Sequence, residues 1–221
     1  MDIKLNDIVQ GFILKEINEI KDYKSKGYLF EHEKSGAKLL YIENDDTNRV
    51  FFTAFKTPPM DDCGTAHILE HSVLCGSKKY RCKDPFNELA KGSLNTYLNA
   101  LTYSDKTVYP IASTNEKDFS NLMDVYLDAI FNPLIYENRE IFMQEGWHYE
   151  LEDEHSDLTI NGVVYNEMKG ASSSPESLLM NKISKSLFKT SPYGFESGGD
   201  PDFIPELTYE DFLSFHKTYY H

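Results

Sequence analysis

The chain has 221 residues, 40% apolar, 14% aromatic and 26% charged, and 36 Asp and Glu against 22 Lys and Arg leave a net charge of −14 at pH 7. That apolar content can fill a core, which excludes a wholly disordered or collagen-like chain. The negative excess has no local cluster of Lys or Arg against it and would repel a phosphate backbone or an anionic lipid surface, so neither nucleic acid nor a membrane is expected as a partner.

No run approaches the ~18 consecutive apolar residues of a spanning helix, and the early apolar stretch Ile8 to Leu14 is interrupted by Gln10 and Gly11. The first residues lack the basic start of a secretory signal and the first arginine is Arg49, so a cytoplasmic location is the default expectation. Cys63, Cys75 and Cys82 cannot all pair with one another and read as reduced thiols. Six residues separate Cys75 from Cys82, wider than the usual spacing of about two to four in a zinc knuckle.

Three segments read as strands, Tyr28 to His32, Ala37 to Ile42 and Val50 to Phe55, each rich in β-branched or aromatic residues and bounded by turn residues. The short links Lys34-Ser35-Gly36 and Asn44 to Asn48 favour antiparallel neighbours. Thr57 to Gly64 is a turn-rich link, after which Thr65 as N-cap and apolar residues at 66, 69, 73 and 74 predict a helix closed by Gly76. Further helices are expected over Pro85 to Ala90, Glu116 to Phe131, Asn138 to Tyr149, Pro175 to Phe188 and Tyr209 to Tyr220, with one more strand over Thr107 to Ala112. In the 116–131 segment Phe119, Leu122, Met123, Tyr126, Leu127 and Ile130 form a core-facing stripe. Antiparallel strands followed by helices predict an α+β fold, a mostly antiparallel sheet with helices packed on one face.

The chemically informative stretch is His67-Ile68-Leu69-Glu70-His71. Positions i and i+4 of a helix share a face, so both imidazoles can reach one ion, with Glu70 beside them. Two nitrogen ligands and a base for the water that the metal holds are what a catalytic zinc requires. The order His-x-x-Glu-His inverts that of the commoner zinc proteases. The plainer alternative is two surface histidines and a solvated carboxylate on an amphipathic helix. A third ligand must come from downstream, either from the acidic group Glu145, Glu150, Glu152, Asp153 and Glu154 or from Glu167, which is set among Val163-Val164-Tyr165 and Met168. A lone carboxylate among apolar neighbours is costly to bury unless paired or coordinated, which favours Glu167 and leaves Glu145 open.

Beyond that motif the chain resembles the N-terminal domain of the insulinase (pitrilysin) family of zinc peptidases, most of all its presequence-protease branch. The resemblance runs through Thr57 to Asp61, Gly64 to His71, Leu74 to Ser77, Lys83 to Phe86, Asn99 to Thr102, Gln144 to Trp147, Gly162 to Gly170 and Ser197 to Pro201. It implies that His67, His71 and Glu167 are the zinc (Zn2+) ligands and Glu70 the general base of a zinc metalloendopeptidase that hydrolyses unstructured oligopeptides. Glu167 follows His71 by 96 positions, as in that branch; in shorter-spaced branches the third ligand would fall near His148, taken here as a surface or packing residue. Asn99, Ala100 and Leu101 resemble the substrate-facing edge strand, which would pair with an extended peptide through its backbone. The resemblance further implies that residues 1–221 are the N-terminal zinc-binding catalytic domain of a longer multi-domain peptidase, in which C-terminal domains supply an Arg and a Tyr to the transition state. The isolated piece is then expected to bind zinc and to hydrolyse peptides weakly or not at all.

Two rival readings remain at this point. One is a non-catalytic homologous subunit that kept the fold as a binding or scaffold element. The other is a structural zinc domain whose fourth ligand comes from Cys75.

Overall fold

A computed structural model describes residues 3–221. It divides between Thr47 and Asn48 into two units, each with its own sheet and buried side chains.

In the first unit β1 (Ile8–Val9), β2 (Phe12–Ile20), β3 (Ser25–His32) and β4 (Lys38–Glu43) form an antiparallel sheet in that order. Gln10 and Gly11 take positive φ of 52° and 83° and turn β1 back onto β2, a two-residue reversal that needs this left-handed backbone. Strand β2 is absent from the sequence reading. Its pairing with β3 shifts between Leu14 and Glu16, and that irregularity breaks the alternation by which a strand is recognised. Leu14 of β2 and Tyr28 and Phe30 of β3 are the buried apolar side chains of this unit.

The second unit carries β5 (Arg49–Phe55), α1 (Thr65–Val73), α2 (Pro85–Gly92), β6 (Asn95–Leu98), β7 (Leu101–Thr102), β8 (Thr107–Ser113), α3 (Glu116–Phe131), α4 (Arg139–Glu145), β9 (His148–Glu150), β10 (Thr159–Asn161), α5 (Val163–Ala171), α6 (Pro175–Leu187) and α7 (Tyr209–Tyr219). The fold is α+β with antiparallel sheets, as expected. Strand β5 does not pair with its sequence neighbour β4; it pairs with β8, Arg49 opposite Ser113 through Phe55 opposite Thr107. Loop length favours neighbours, but Phe55, Tyr109 and Ile111 are buried together and the long-range pairing buries them. Against that side of the sheet lie Ile68, Leu69 and Val73 of α1, Leu122, Tyr126 and Ile130 of α3, Phe142 of α4, Val164 of α5 and Phe212 of α7. Val50 and Phe52, at alternate positions of β5, are exposed, so the helices cover one face.

Three departures from the sequence reading bear on the site. The residue capping α1 is Gly64 at φ 68°, and Thr65 is already helical. A Cβ on Gly64 would lie 2.7 Å from the Gly198 carbonyl oxygen, so the helix start is set by the approach of the 198–199 backbone rather than by a hydroxyl cap. Helix α4 stops at Glu145, and residues expected to continue it form the β9–β10 hairpin instead. Helix α5 is new: β-branched Val163 and Val164, Tyr165 and Gly170 are weak helix formers, and α5 forms because Val164 is fully buried in the core. Gly162, just before it, lets the chain close the hairpin, since a Cβ there would lie 2.1 Å from the Gly146 carbonyl oxygen.

Candidate metal centre

Helix α1 presents His67 and His71 one turn apart, with ring centroids 5.0 Å apart. Gly146 and Gly162 meet at the base of the hairpin, which places α5 beside α4 and brings Glu167 across from α1. Glu167 Oε2 lies 3.8 Å from Nε2 of His67 and 3.8 Å from Nε2 of His71. Among the described residues these three form the one group of His, Cys, Asp or Glu able to share an ion, their ligand atoms lying within 4.8 Å of one another.

Both rings are held by their other nitrogen. His67 Nδ1 is 2.9 Å from the Gly198 carbonyl oxygen, which only accepts, so Nδ1 carries the proton and the Nε2 lone pair is free. His71 Nδ1 lies 3.4 Å from Oε2 of Glu145, whose other oxygen accepts from the Gln144 side-chain amide at 2.8 Å. Burial opposes charge on His71, yet the carboxylates of Glu145, Glu70 and Glu167 hold its pKa above the ordinary value. Burial likewise opposes charge on Glu145, while His71 and Gln144 hold its pKa below the usual carboxylate range. Holding one ring nitrogen so that the other faces the ion is the arrangement by which proteins orient imidazole ligands.

Two of these partners went unassigned in the sequence reading. Gly198 has no chemistry-bearing side chain, and Glu145 stood only as an alternative ligand; it is buried on the far nitrogen of His71 and outside the ligand group. Glu167, expected to be buried, has a side chain 53% exposed, so the burial argument for it fails, and its candidacy rests on its place beside the two histidines. Of its apolar neighbours, Val164 is fully buried and Tyr165 and Met168 pack against the core, while Val163 is exposed.

Glu70 is 8% exposed and accepts a 2.5 Å hydrogen bond from Oγ1 of Thr102. Thr102 ends the run β6–β7, which pairs with β8 on one side and has no strand on its other side among the described residues. Asn99, Ala100 and Leu101 belong to that outer run. The Asn99 amide donates to the Pro110 carbonyl and its own carbonyl accepts from Tyr126. The next residue along, Thr102, links this run to Glu70.

The remaining candidates fall elsewhere. His148 is in β9, its Nδ1 engaged by the Met143 carbonyl 2.8 Å away, and it is outside the ligand group. The three cysteines are free thiols. Cys75 donates its thiol to the His71 carbonyl at 3.5 Å and is likewise outside the group, which counts against the structural-zinc reading.

Ligand atoms bonded at about 2.0–2.2 Å to a tetrahedral ion lie roughly 3.4 Å apart. The two His–Glu separations of 3.8 Å are near that spacing, and the donor set of two imidazole nitrogens and one carboxylate is that of open catalytic zinc sites, so the residues fit such an ion.

Residues 58–197, more than half of the chain, match the model of the family described as Insulinase (Peptidase family M16). The chain belongs to this family. Similar proteins include Protein HypA of Clostridium perfringens, 58% identical over all 221 residues, and presequence protease 1, chloroplastic/mitochondrial, of Arabidopsis thaliana, 54% identical over 91% of this chain. The mitochondrial presequence protease of Mus musculus is 42% identical over the whole chain. The chain spans only 23%, 19% and 21% of these three relatives, about a fifth of their length. The crystal structure of pitrilysin shares the fold, with a TM-score of 0.67 at 20% identity over 95% of this chain and 21% of that one. No helix among the described residues is long and apolar enough to cross a membrane.

Proposed function

We propose that this M16 chain is the zinc-binding catalytic domain of a metalloendopeptidase that hydrolyses unstructured oligopeptides. The observation that carries the reading is the convergence of two Nε2 lone pairs and one carboxylate oxygen on a common point, with Glu70 on the same helix. His67, His71 and Glu167 would hold the zinc ion. Bound there, it would polarise a peptide carbonyl and make water acidic enough to act as a nucleophile near neutral pH.

The chain's own residues do the rest. Glu70, buried and held by Thr102, takes a proton from the attacking water and returns it to the leaving amine nitrogen, help typically worth about 10²–10⁴-fold. The β6–β7 edge, which includes Leu101 and is linked by Asn99 and Ala100, has no strand beyond it among the described residues, and an extended substrate can pair there through its backbone, which suits a peptide without structure of its own. The relatives named presequence proteases support peptide substrates, and the charge of −14 favours basic ones. With about a fifth of its relatives' length, the chain is proposed to work with further C-terminal domains and to be weak or inactive without them. Its three free thiols suit a reducing compartment, and the cytoplasm is the one proposed.

The test pairs metal content with turnover. Elemental analysis should find one zinc per chain, lost in His67→Ala, His71→Ala and Glu167→Ala and kept in Glu70→Gln. Turnover of an unstructured peptide by a full-length form should be nearly abolished in Glu70→Gln. A Glu70→Gln protein that keeps most of its activity, or sheds its metal, overturns the assignment.

A further inference from the structure

Although the 196–200 loop lies far along the chain from α1, its Gly198 carbonyl fixes the ring of His67. That loop is tied to the segment just before α1 at both ends by one residue. Asp62 Oδ1 accepts from the Glu196 amide at 2.7 Å, and the Asp62 carbonyl accepts from the Asp200 amide at 2.8 Å. Between them the Glu196 carbonyl accepts from the Gly199 amide at 3.0 Å, which closes the turn that aims the Gly198 carbonyl. Gly199 is at φ 102°, and a Cβ on it would meet Ile204 at 2.8 Å, so the loop is packed on its far side too.

One cation joins these parts. Lys185, from α6, lies 3.1 Å from Asp62 Oδ2 and 3.3 Å from Asp200 Oδ2, and its Nζ sits 5.6 Å from the Phe203 ring centroid. The side chains of Asp62 and Asp200 are 14% and 24% exposed, so two carboxylates held this close to one another depend on the ammonium between them. Burial opposes the charge of Lys185, but both carboxylates hold its pKa above the ordinary value.

We propose that Asp62, Lys185 and Asp200 are positioning residues, an ion clamp that holds the 196–200 loop so that the Gly198 carbonyl keeps His67 in the metal-binding orientation. The proposal rests on reading His67 as a ligand. None of the three belongs to the ligand group, so their effect on a bound metal is transmitted through the loop.

Lys185→Met in the 221-residue chain tests it, with Lys185→Arg as the conservative rescue and Asp200→Asn as a second variant that spares the backbone bonds. Zinc affinity is read by competition with a chromophoric chelator. Loss of an outer partner of a ligand typically weakens metal binding about 10–100-fold, so Lys185→Met is expected near the low end, with Lys185→Arg close to wild type. Two readings on metal-free protein accompany it: hydrogen exchange at the Gly199 and Asp200 amides, which should quicken in Lys185→Met, and the His67 tautomer by nitrogen NMR, which should lose its Nδ1–H preference. Folded Lys185→Met and Asp200→Asn proteins with wild-type exchange, tautomer and zinc affinity within twofold overturn the clamp. If wild type binds no zinc, the metal reading fails instead, and the exchange and tautomer measurements decide the clamp by themselves.

Discussion

Glu145→Ala separates an orienting carboxylate from a ligand. Glu145 is 7% exposed and its Oε2 faces Nδ1 of His71 at 3.4 Å, on the side of the ring away from Glu167. Removing it leaves the partly buried Nδ1–H without its acceptor and leaves the Gln144 amide without its 2.8 Å partner. It also withdraws the first of the carboxylates that favour charge on His71, so the imidazole becomes a poorer donor and its ring is freer to turn. Outer partners of metal-bound histidines contribute about 10–100-fold to affinity, or roughly 1.4–2.8 kcal/mol at 1.4 kcal/mol per decade. The low end applies here, because 3.4 Å is long for a charge-assisted hydrogen bond. Chelator competition at pH 7.5 should give a zinc Kd about tenfold above wild type, with one zinc per chain still bound at saturation. His71→Ala should abolish binding in the same assay. A Glu145→Ala protein with native near-ultraviolet dichroism and a Kd within twofold of wild type would show that Glu145 does not orient His71. Complete loss of metal would make it a ligand in its own right.

Thr102→Val removes the 2.5 Å donor from buried Glu70, and hydrogen bonds to charged groups contribute about 1.5–3 kcal/mol. Turnover in a full-length form should therefore fall by roughly tenfold or more with zinc content unchanged, and Thr102→Ser should restore most of it; an unaltered kcat refutes the role. Gly64→Ala places a Cβ 2.7 Å from the Gly198 oxygen at φ 68°, which should cost about 1–3 kcal/mol and lower Tm by several degrees in calorimetry. His216 is 4% exposed, bonded through Nε2 to the Ile130 carbonyl and through Nδ1 to the Tyr136 hydroxyl, and stacked on Tyr220; burial lowers its pKa from the ordinary 6.5. The unfolded chain thus binds the proton first, so this contribution to stability is complete above about pH 6.5 and declines as pH falls toward the lower folded value. Urea midpoints at pH 7.5 and 5.5 should differ less in His216→Phe than in wild type; an equal difference refutes it.

Several elements were legible because local chemistry decides them. Helix α3 shows its stripe at the expected positions, Leu122, Tyr126 and Ile130 buried and Phe119 and Met123 packed beside them, and its Asn115 cap accepts from the Asp118 amide. The predicted helix over Pro175 to Phe188 is α6, capped by Ser174, and the strand expected over Thr107 to Ala112 is β8, one residue longer. Helix α5 was not legible, since its first residues, Val163, Val164 and Tyr165, favour a strand, and the burial of Val164 and the passage of Gly162 over Gly146 accompany its helix. Neither was the pairing of β5 with β8, which depends on which apolar faces share a core rather than on loop length.

The site divides along the same line. His67, Glu70 and His71 share one face of one helix, and the repeat of that helix sets their spacing, so five consecutive residues were enough to place them. The approach of Glu167 was not written in any local pattern; it depends on the 147–161 excursion closing at Gly146 and Gly162. The acceptors that turn both rings, Gly198 and Glu145, and the donor that holds Glu70, Thr102, come from three other segments. Sequence determined which residues could act on a metal, because periodicity alone decides what shares a helix face. Tertiary structure decided which lone pairs face it, because hydrogen-bond partners remote in sequence are brought to the site only when the core packs.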